Sequence, residues 1–139
     1  MITSDIPFPP LHLRKSVGPI EDCFYDNPGG GLVFEREVPP ENYRSVFDFG
    51  CGCGRVARQL LLQTETPVGS YLGVDLFLES VTWARENLTP ANPVFRFSHH
   101  DVFNAQFNPS SSREFAPLDA GDAAFRPGIA RSVYAHSRA

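Results

Sequence analysis

The chain has 139 residues, of which 42% are hydrophobic and 20% charged; this is the balance of one globular domain and excludes a disordered chain. Its formal net charge of −4 disfavours nucleic acid as a partner, because nucleic-acid binders usually present a basic surface. No apolar run approaches the ~20 residues of a membrane-spanning helix, so no membrane partner is expected. The N-terminus has no signal-peptide pattern and the three cysteines are an odd number, so a reduced, cytoplasmic protein is the default expectation.

Residues 1–40 are predicted to form a proline- and glycine-rich arm. Proline recurs through this stretch and three glycines stand together at Gly29–Gly31, so long regular elements are improbable here. We predict short helical turns at 11–17 and 21–25, and we expect the arm to pack beside the main sheet. Residues 41–139 are predicted to form the domain proper.

From residue 44 onward the hydrophobic pattern predicts strands and helices in alternation. Short apolar runs indicate buried strands, and apolar residues at helical spacing indicate amphipathic helices, the second of which Pro90 ends. The β-α-β-α-β order predicts an α/β fold with a parallel sheet. In chain order, the predicted elements are a strand over 44–49, a helix over 55–63, a strand over 71–75, a helix over 78–88, a strand over 94–97 and a further candidate strand over 129–134.

The most informative segment runs from Asp48 to Arg55 and reads Asp-Phe-Gly-Cys-Gly-Cys-Gly-Arg. It joins the end of the first predicted strand to the start of the first predicted helix through a tight turn. Glycine accepts backbone angles that other residues resist, and it leaves room for a ligand to approach the backbone. Free amides at a helix start then face a polar or negative group. We therefore predict a ligand-binding loop.

Two acids follow the next two predicted strands, Asp75 after the second and Asp101 after the third. In an open parallel sheet, ligands bind outside the carboxyl ends of the strands. Asp75 is suited to accept hydrogen bonds from ribose hydroxyls, and Asp101 is placed to meet a base edge. Together with the glycine loop, the two acids predict a pocket shaped for adenosine.

These segments resemble the motifs of class I S-adenosylmethionine-dependent methyltransferases. Asp48-x-Gly50-x-Gly52-x-Gly54 is similar to motif I of that family, and Gly73-Val74-Asp75 is similar to the motif that follows it. The segments 98–102 and 131–136 resemble the third and fourth segments of the family. The resemblance implies a three-layer Rossmann-like methyltransferase fold, S-adenosyl-L-methionine as cofactor, and methyl transfer to an acceptor that the sequence does not identify.

The resemblance also implies roles for single residues. Asp48 would lie near the methionine amino group, Asp75 would hold the ribose hydroxyls, and Asp101 with Val102 would contact the adenine. No catalytic base and no metal ligand can be assigned. The implied cofactor-binding residues are Asp48, Gly50, Cys51, Gly52, Gly54, Asp75, Leu76, Asp101 and Val102.

By the same resemblance, the domain is expected to be incomplete. The sequence supports about four strands, and the C-terminal part that finishes the family's sheet is expected to be missing. In addition, Phe125-Arg126-Pro127-Gly128 stands where the family commonly has Phe-Asp, and proline is disfavoured in a central strand. Three explanations stay open: a fragment, a degenerate copy, or a half-domain completed by a partner chain.

Two other functions compete with the methyltransferase hypothesis. Gly52-x-Gly54-x-x-Ala57 satisfies the fingerprint of NAD(P)- or FAD-binding oxidoreductases, and Asp75 suits the ribose acid of that site. The fingerprint leaves Asp48 unexplained, because that strand position is normally apolar. The second alternative is a catalytically silent binding module that keeps only the fold or the pocket. Cys51 and Cys53 lack the spacing of a zinc site.

Overall fold

The computed structural model describes residues 5–34 and 38–100. In these residues the helices are α1 (Leu11–Arg14), α2 (Arg55–Leu61) and α3 (Leu78–Asn87), and the strands are β1 (Ser45–Phe49), β2 (Ser70–Asp75) and β3 (Phe95–His99). Single 3₁₀ turns lie at Asp22–Tyr25, Pro40–Arg44 and Thr89–Ala91.

The predicted order of elements is confirmed over the described residues. All three strands and the two longer helices begin and end within about two residues of their predicted bounds, which is the usual scatter of element ends. The helical turn predicted at 11–17 is shorter, ending at Arg14. The candidate strand over 129–134, the segment 125–128 and the acid Asp101 lie outside the described residues.

The three strands form one parallel sheet in the order β1-β2-β3, which confirms the predicted α/β class. The register sets Asp48 opposite Gly73, and Gly73 opposite Phe97. Because side chains alternate along a strand, residues paired in this way point to the same face of the sheet. The register therefore decides which side chains surround Asp48.

Helices α2 and α3 pack on that same face of the sheet. Their apolar residues join one core cluster with the strand residues of this face; the helix members are Val56, Ala57, Leu60, Val81 and Ala84, and the strand members are Val46, Tyr71, Phe95 and Phe97. Burial of this apolar surface is the main favourable term for folding. The described residues thus supply two of the three layers that were predicted, one sheet and one layer of helices.

The N-terminal arm contributes to both buried clusters, since Ile6 and Val38 belong to the main core cluster. Its Leu13 and Tyr25 form a second buried cluster with Cys53 of the glycine loop, and Val17 and Trp83 border that cluster. The arm therefore contacts the start of α2 as well as α3. Within the two described ranges, no helix is both long and apolar enough to cross a lipid bilayer.

Candidate functional site

The chain makes a sharp turn at the carboxyl end of β1. The amides of Gly50 and Cys51 both donate to the carbonyl oxygen of Val74, at 2.8 and 3.0 Å, so the loop folds towards the tip of β2. Gly50 and Gly52 have φ values of 80° and 57°, in the left-handed region that side chains resist. The turn explains why glycines occupy these positions.

Asp75, at the carboxyl end of β2, closes against this loop. Its Oδ1 accepts a hydrogen bond of 3.2 Å from the amide of Gly52, and its Oδ2 accepts one of 2.9 Å from the amide of Phe77. Burial raises the pKa of the Asp75 carboxyl, and the two amide donors oppose that rise. A carboxylate has about four acceptor sites, so Asp75 keeps capacity for further donors.

Asp48 lies beneath the same loop and is fully buried, with 0% of its surface exposed. The hydroxyl of Tyr71 donates to its Oδ2 at 2.5 Å. Its Oδ1 is also buried and accepts no hydrogen bond from any described residue. Burial raises the pKa of Asp48 to about 7, although the Tyr71 hydrogen bond lowers it. Asp48 is therefore a buried carboxyl with one oxygen available to a donor.

Packing against α3 explains why the last residue of the loop is a glycine. Gly54 has φ 93°, and a Cβ there would come 2.5 Å from Cδ1 of Leu88 at the end of α3. Gly52 is similarly crowded, since a Cβ there would come 2.7 Å from Cγ2 of Val17 in the arm. The absence of a side chain at Gly52 and at Gly54 thus allows the close contacts with the arm and with α3.

The two loop cysteines are buried, as is expected for small residues inside a tight turn. Cys51 has 0% exposure, and burial raises the pKa of its thiol well above the ordinary value, so the side chain stays neutral. Cys53 is also fully buried, against the arm. Both are free thiols. Their chemical reactivity is suppressed, because the thiolate and not the thiol is the nucleophile.

The described residues bring together seven of the nine implied cofactor-binding residues. Asp48, the loop from Gly50 to Gly54, and Asp75 with Leu76 lie at one edge of the sheet, and the carbonyl oxygen of Leu76 is 3.0 Å from Nε2 of His99. The remaining two, Asp101 and Val102, lie outside the described residues. Their adenine-contacting roles stay predictions.

Sequence reasoning missed Tyr71 as a part of this site. The signal was a tyrosine two residues before a glycine in a strand that reads as buried, Tyr71-Leu72-Gly73. A buried tyrosine hydroxyl usually finds a hydrogen-bond partner, and the same face of the neighbouring strand offers Asp48. Without the register between β1 and β2, the sequence could not name that partner.

An α/β domain with a glycine loop and two acids at the tips of its first two strands belongs to the broad class of Rossmann-like folds. Within that class, a family model described as "Methyltransferase domain" matches residues 46–115 of the chain. The match begins in β1 and includes every implied cofactor-binding residue. The chain belongs to this class I methyltransferase family. No solved structure matches the chain.

Proposed function

We propose that this chain binds S-adenosyl-L-methionine at the tips of β1 and β2 and takes part in methyl transfer from it. The observation that carries the proposal is the buried Asp48, whose Oδ1 accepts no hydrogen bond from the described residues. A buried polar atom without a partner costs about 1–3 kcal/mol, so a ligand that supplies a donor there recovers free energy. The methionine ammonium of the cofactor is such a donor.

The chemistry of the other donors and acceptors also fits this cofactor. Asp75 is an acceptor at the next strand tip, and its carboxylate and the loop are within hydrogen-bonding distance of each other. A ribose with two hydroxyls would offer donors to Asp75 in addition to the two amides. The cofactor supplies a methyl group on a sulfonium, and the chain's own contribution is to bind and orient it.

The family match favours methyl transfer over the dinucleotide alternative. The geometry supports the same choice, since a dinucleotide site gives no reason for a buried carboxyl in β1, whereas an ammonium group does.

Calorimetric titration of the purified chain with S-adenosylhomocysteine, with NADPH as the comparison ligand, tests the proposal. We expect heat of binding and a higher melting temperature with S-adenosylhomocysteine and neither effect with NADPH. Binding of NADPH alone would support the oxidoreductase alternative. A folded chain, verified by circular dichroism, that binds neither ligand would overturn the proposal and support a silent module.

Replacing Asp75 with alanine should weaken S-adenosylhomocysteine binding by about 1–3 kcal/mol, because ribose hydroxyls would lose their acceptor. Calorimetry measures the change. The matched control is Asp22→Ala, which removes a carboxylate that is 68% exposed on the arm and should leave the affinity unchanged. If Asp75→Ala folds and binds as tightly as the unmodified chain, Asp75 does not belong to the site.

A further inference from the structure

The tyrosine beneath the glycine loop carries a hydroxyl that the packing of its ring does not require. Tyr71 is fully buried in β2, and its ring stacks on Phe95 with centroids 4.9 Å apart. A phenylalanine would make the same stacking contact. The hydroxyl is what distinguishes the residue, and it donates to Oδ2 of Asp48 in the neighbouring strand.

The space for that hydroxyl exists because residue 73 has no side chain. Gly73 is the register partner of Asp48, and a Cβ on Gly73 would come 2.9 Å from the Tyr71 hydroxyl and 2.9 Å from Sγ of Cys51. The hydroxyl therefore reaches Asp48 across the position that Gly73 leaves open. The local arrangement of Tyr71, Gly73 and Asp48 depends on all three residues.

This hydrogen bond divides the Asp48 carboxyl into two unequal oxygens. Oδ2 is held by Tyr71, whereas Oδ1 accepts nothing from the described residues. A carboxyl with one oxygen fixed can no longer rotate freely, so the other oxygen keeps one direction. That is the geometry expected of a residue that orients a ligand-binding group.

We propose that Tyr71 is a positioning residue, which holds the Asp48 carboxyl group oriented so that Oδ1 receives the ammonium group of the cofactor. The inference rests on the proposed function, since it needs a cofactor with an ammonium group. It adds a residue that touches Asp48 and acts through it.

Several charged or titratable groups face Asp48 from the elements around it, and they modify the rise in its pKa that burial causes. In the described part of the chain they are Tyr71 and Asp75 from β2, Arg55 from the start of α2 and Cys51 from the loop. Tyr71 and Arg55 lower the pKa of Asp48, while Asp75 raises it. The Cys51 thiol remains neutral because burial raises its pKa.

Removing the hydroxyl should move the pH dependence of binding. An ammonium group prefers the ionised carboxylate, so affinity for S-adenosylhomocysteine should rise with pH and level off above about 7, the pKa of Asp48. In Tyr71→Phe the pKa should rise, and the midpoint should move up by about one pH unit. We expect about fivefold weaker binding at pH 7, about tenfold weaker binding at pH 5.5, and recovery near pH 8.5.

Calorimetric titration of the full chain from pH 5.5 to 8.5 measures this midpoint. The matched control is Tyr43→Phe, another fully buried tyrosine, whose hydroxyl accepts from the amide of Phe34 in the arm. That control should lose stability without moving the midpoint. 5′-Methylthioadenosine, which lacks the amino-acid part, should bind both Tyr71→Phe and the unmodified chain equally at every pH.

The ligand-free protein supplies a second readout, which stands even if no cofactor binds. Because the pKa of Asp48 is raised in the folded protein, the free energy of unfolding falls with rising pH until Asp48 is fully ionised. In Tyr71→Phe this fall should continue to a higher pH than in the unmodified chain, because the folded pKa of Asp48 is higher. An unchanged pH profile in both measurements would overturn the role of Tyr71. Absence of S-adenosylhomocysteine binding to the unmodified chain would instead overturn the proposed function.

Discussion

Replacing Asp48 with asparagine is expected to stabilise the ligand-free protein at pH 8 while it abolishes the affinity for S-adenosylhomocysteine. Burial raises the pKa of Asp48 from its ordinary 3.8 to about 7. At pH 8 the folded protein therefore holds a buried charge that the unfolded chain exposes to water. Asparagine has a similar shape and no charge, so it removes this penalty.

The sign of the pH dependence follows from proton binding. Between about pH 4 and pH 7 the folded state binds more protons at Asp48 than the unfolded state does, so the free energy of unfolding falls as pH rises. The slope is at most about 1.4 kcal/mol per pH unit, and it ends above pH 7. Asp48→Asn should lack this contribution and gain about 1–3 kcal/mol at pH 8, after the cost of an unsatisfied amide.

Urea unfolding at pH 5 and pH 8 measures the pH slope of the free energy of unfolding and the gain in stability of Asp48→Asn. Asp75 also has a raised pKa and contributes a slope of the same sign, and because its charge interacts with that of Asp48, removing the Asp48 charge lowers the Asp75 pKa and reduces that slope as well. Asp22→Asn makes the same chemical change at an exposed side chain of the arm and serves as the control. Parallel stability profiles for Asp48→Asn and the unmodified chain would show that Asp48 is not the titrating group.

A destabilising carboxyl at the tip of β1 is itself an argument about function. Buried groups that oppose folding usually occur where binding or catalysis needs them. An apolar residue at position 48 would not place a charge in the core. It would, however, leave the buried Tyr71 hydroxyl without its acceptor. Asp48 and Tyr71 are therefore best understood together, as one buried polar pair beside the loop.

The secondary structure could be predicted because its signals are local. Strand β2 is a short continuous apolar run, helix α3 has apolar residues at helical spacing, and Pro90 marks the end of the helix. The proximity of Asp75 to the loop was also predictable, since parallel strand tips meet at one edge of a sheet. These inferences need only the order of elements along the chain.

The contacts that explain individual residues could not be predicted in the same way. The partner of Tyr71 depends on the register of two strands, and the reason for Gly54 depends on where the end of α3 packs. The polar contacts of the arm with α2 were likewise not predicted. Each of these depends on tertiary packing between segments that are distant in the sequence.

Replacing Arg58 with methionine is expected to lower the free energy of unfolding by several kcal/mol, because each buried carbonyl left without a donor costs about 1–3 kcal/mol. Arg58 lies on α2 and is 3% exposed. Its guanidinium donates to the carbonyl oxygens of Ile6 at 2.8 Å, Pro7 at 3.2 Å and Tyr25 at 3.0 Å. It also stacks over the ring of Phe8, 3.6 Å from the centroid. Methionine fills similar volume but satisfies none of these carbonyls.

The carboxylate partner of Arg58 should matter much less than the carbonyls. Nη1 lies 3.1 Å from Oδ1 of Asp26, whose side chain is 35% exposed, and solvent weakens ion pairs of this kind. Asp26→Asn should therefore change the free energy of unfolding by less than about 1 kcal/mol. Urea unfolding of the two variants compares the carbonyl contacts with the ion pair.

The two outcomes distinguish what holds the arm to the helix that follows the glycine loop. If the carbonyl contacts dominate, Arg58→Met should also expose residues 5–34 to limited proteolysis at protease concentrations that leave Asp26→Asn intact, because the arm loses its main polar attachment to α2. Equal losses of stability in both variants would instead assign the attachment to the ion pair. Since Val17 of the same arm lies against Gly52, a detached arm should also alter the wall of the proposed cofactor site, and S-adenosylhomocysteine affinity should fall in Arg58→Met but not in Asp26→Asn.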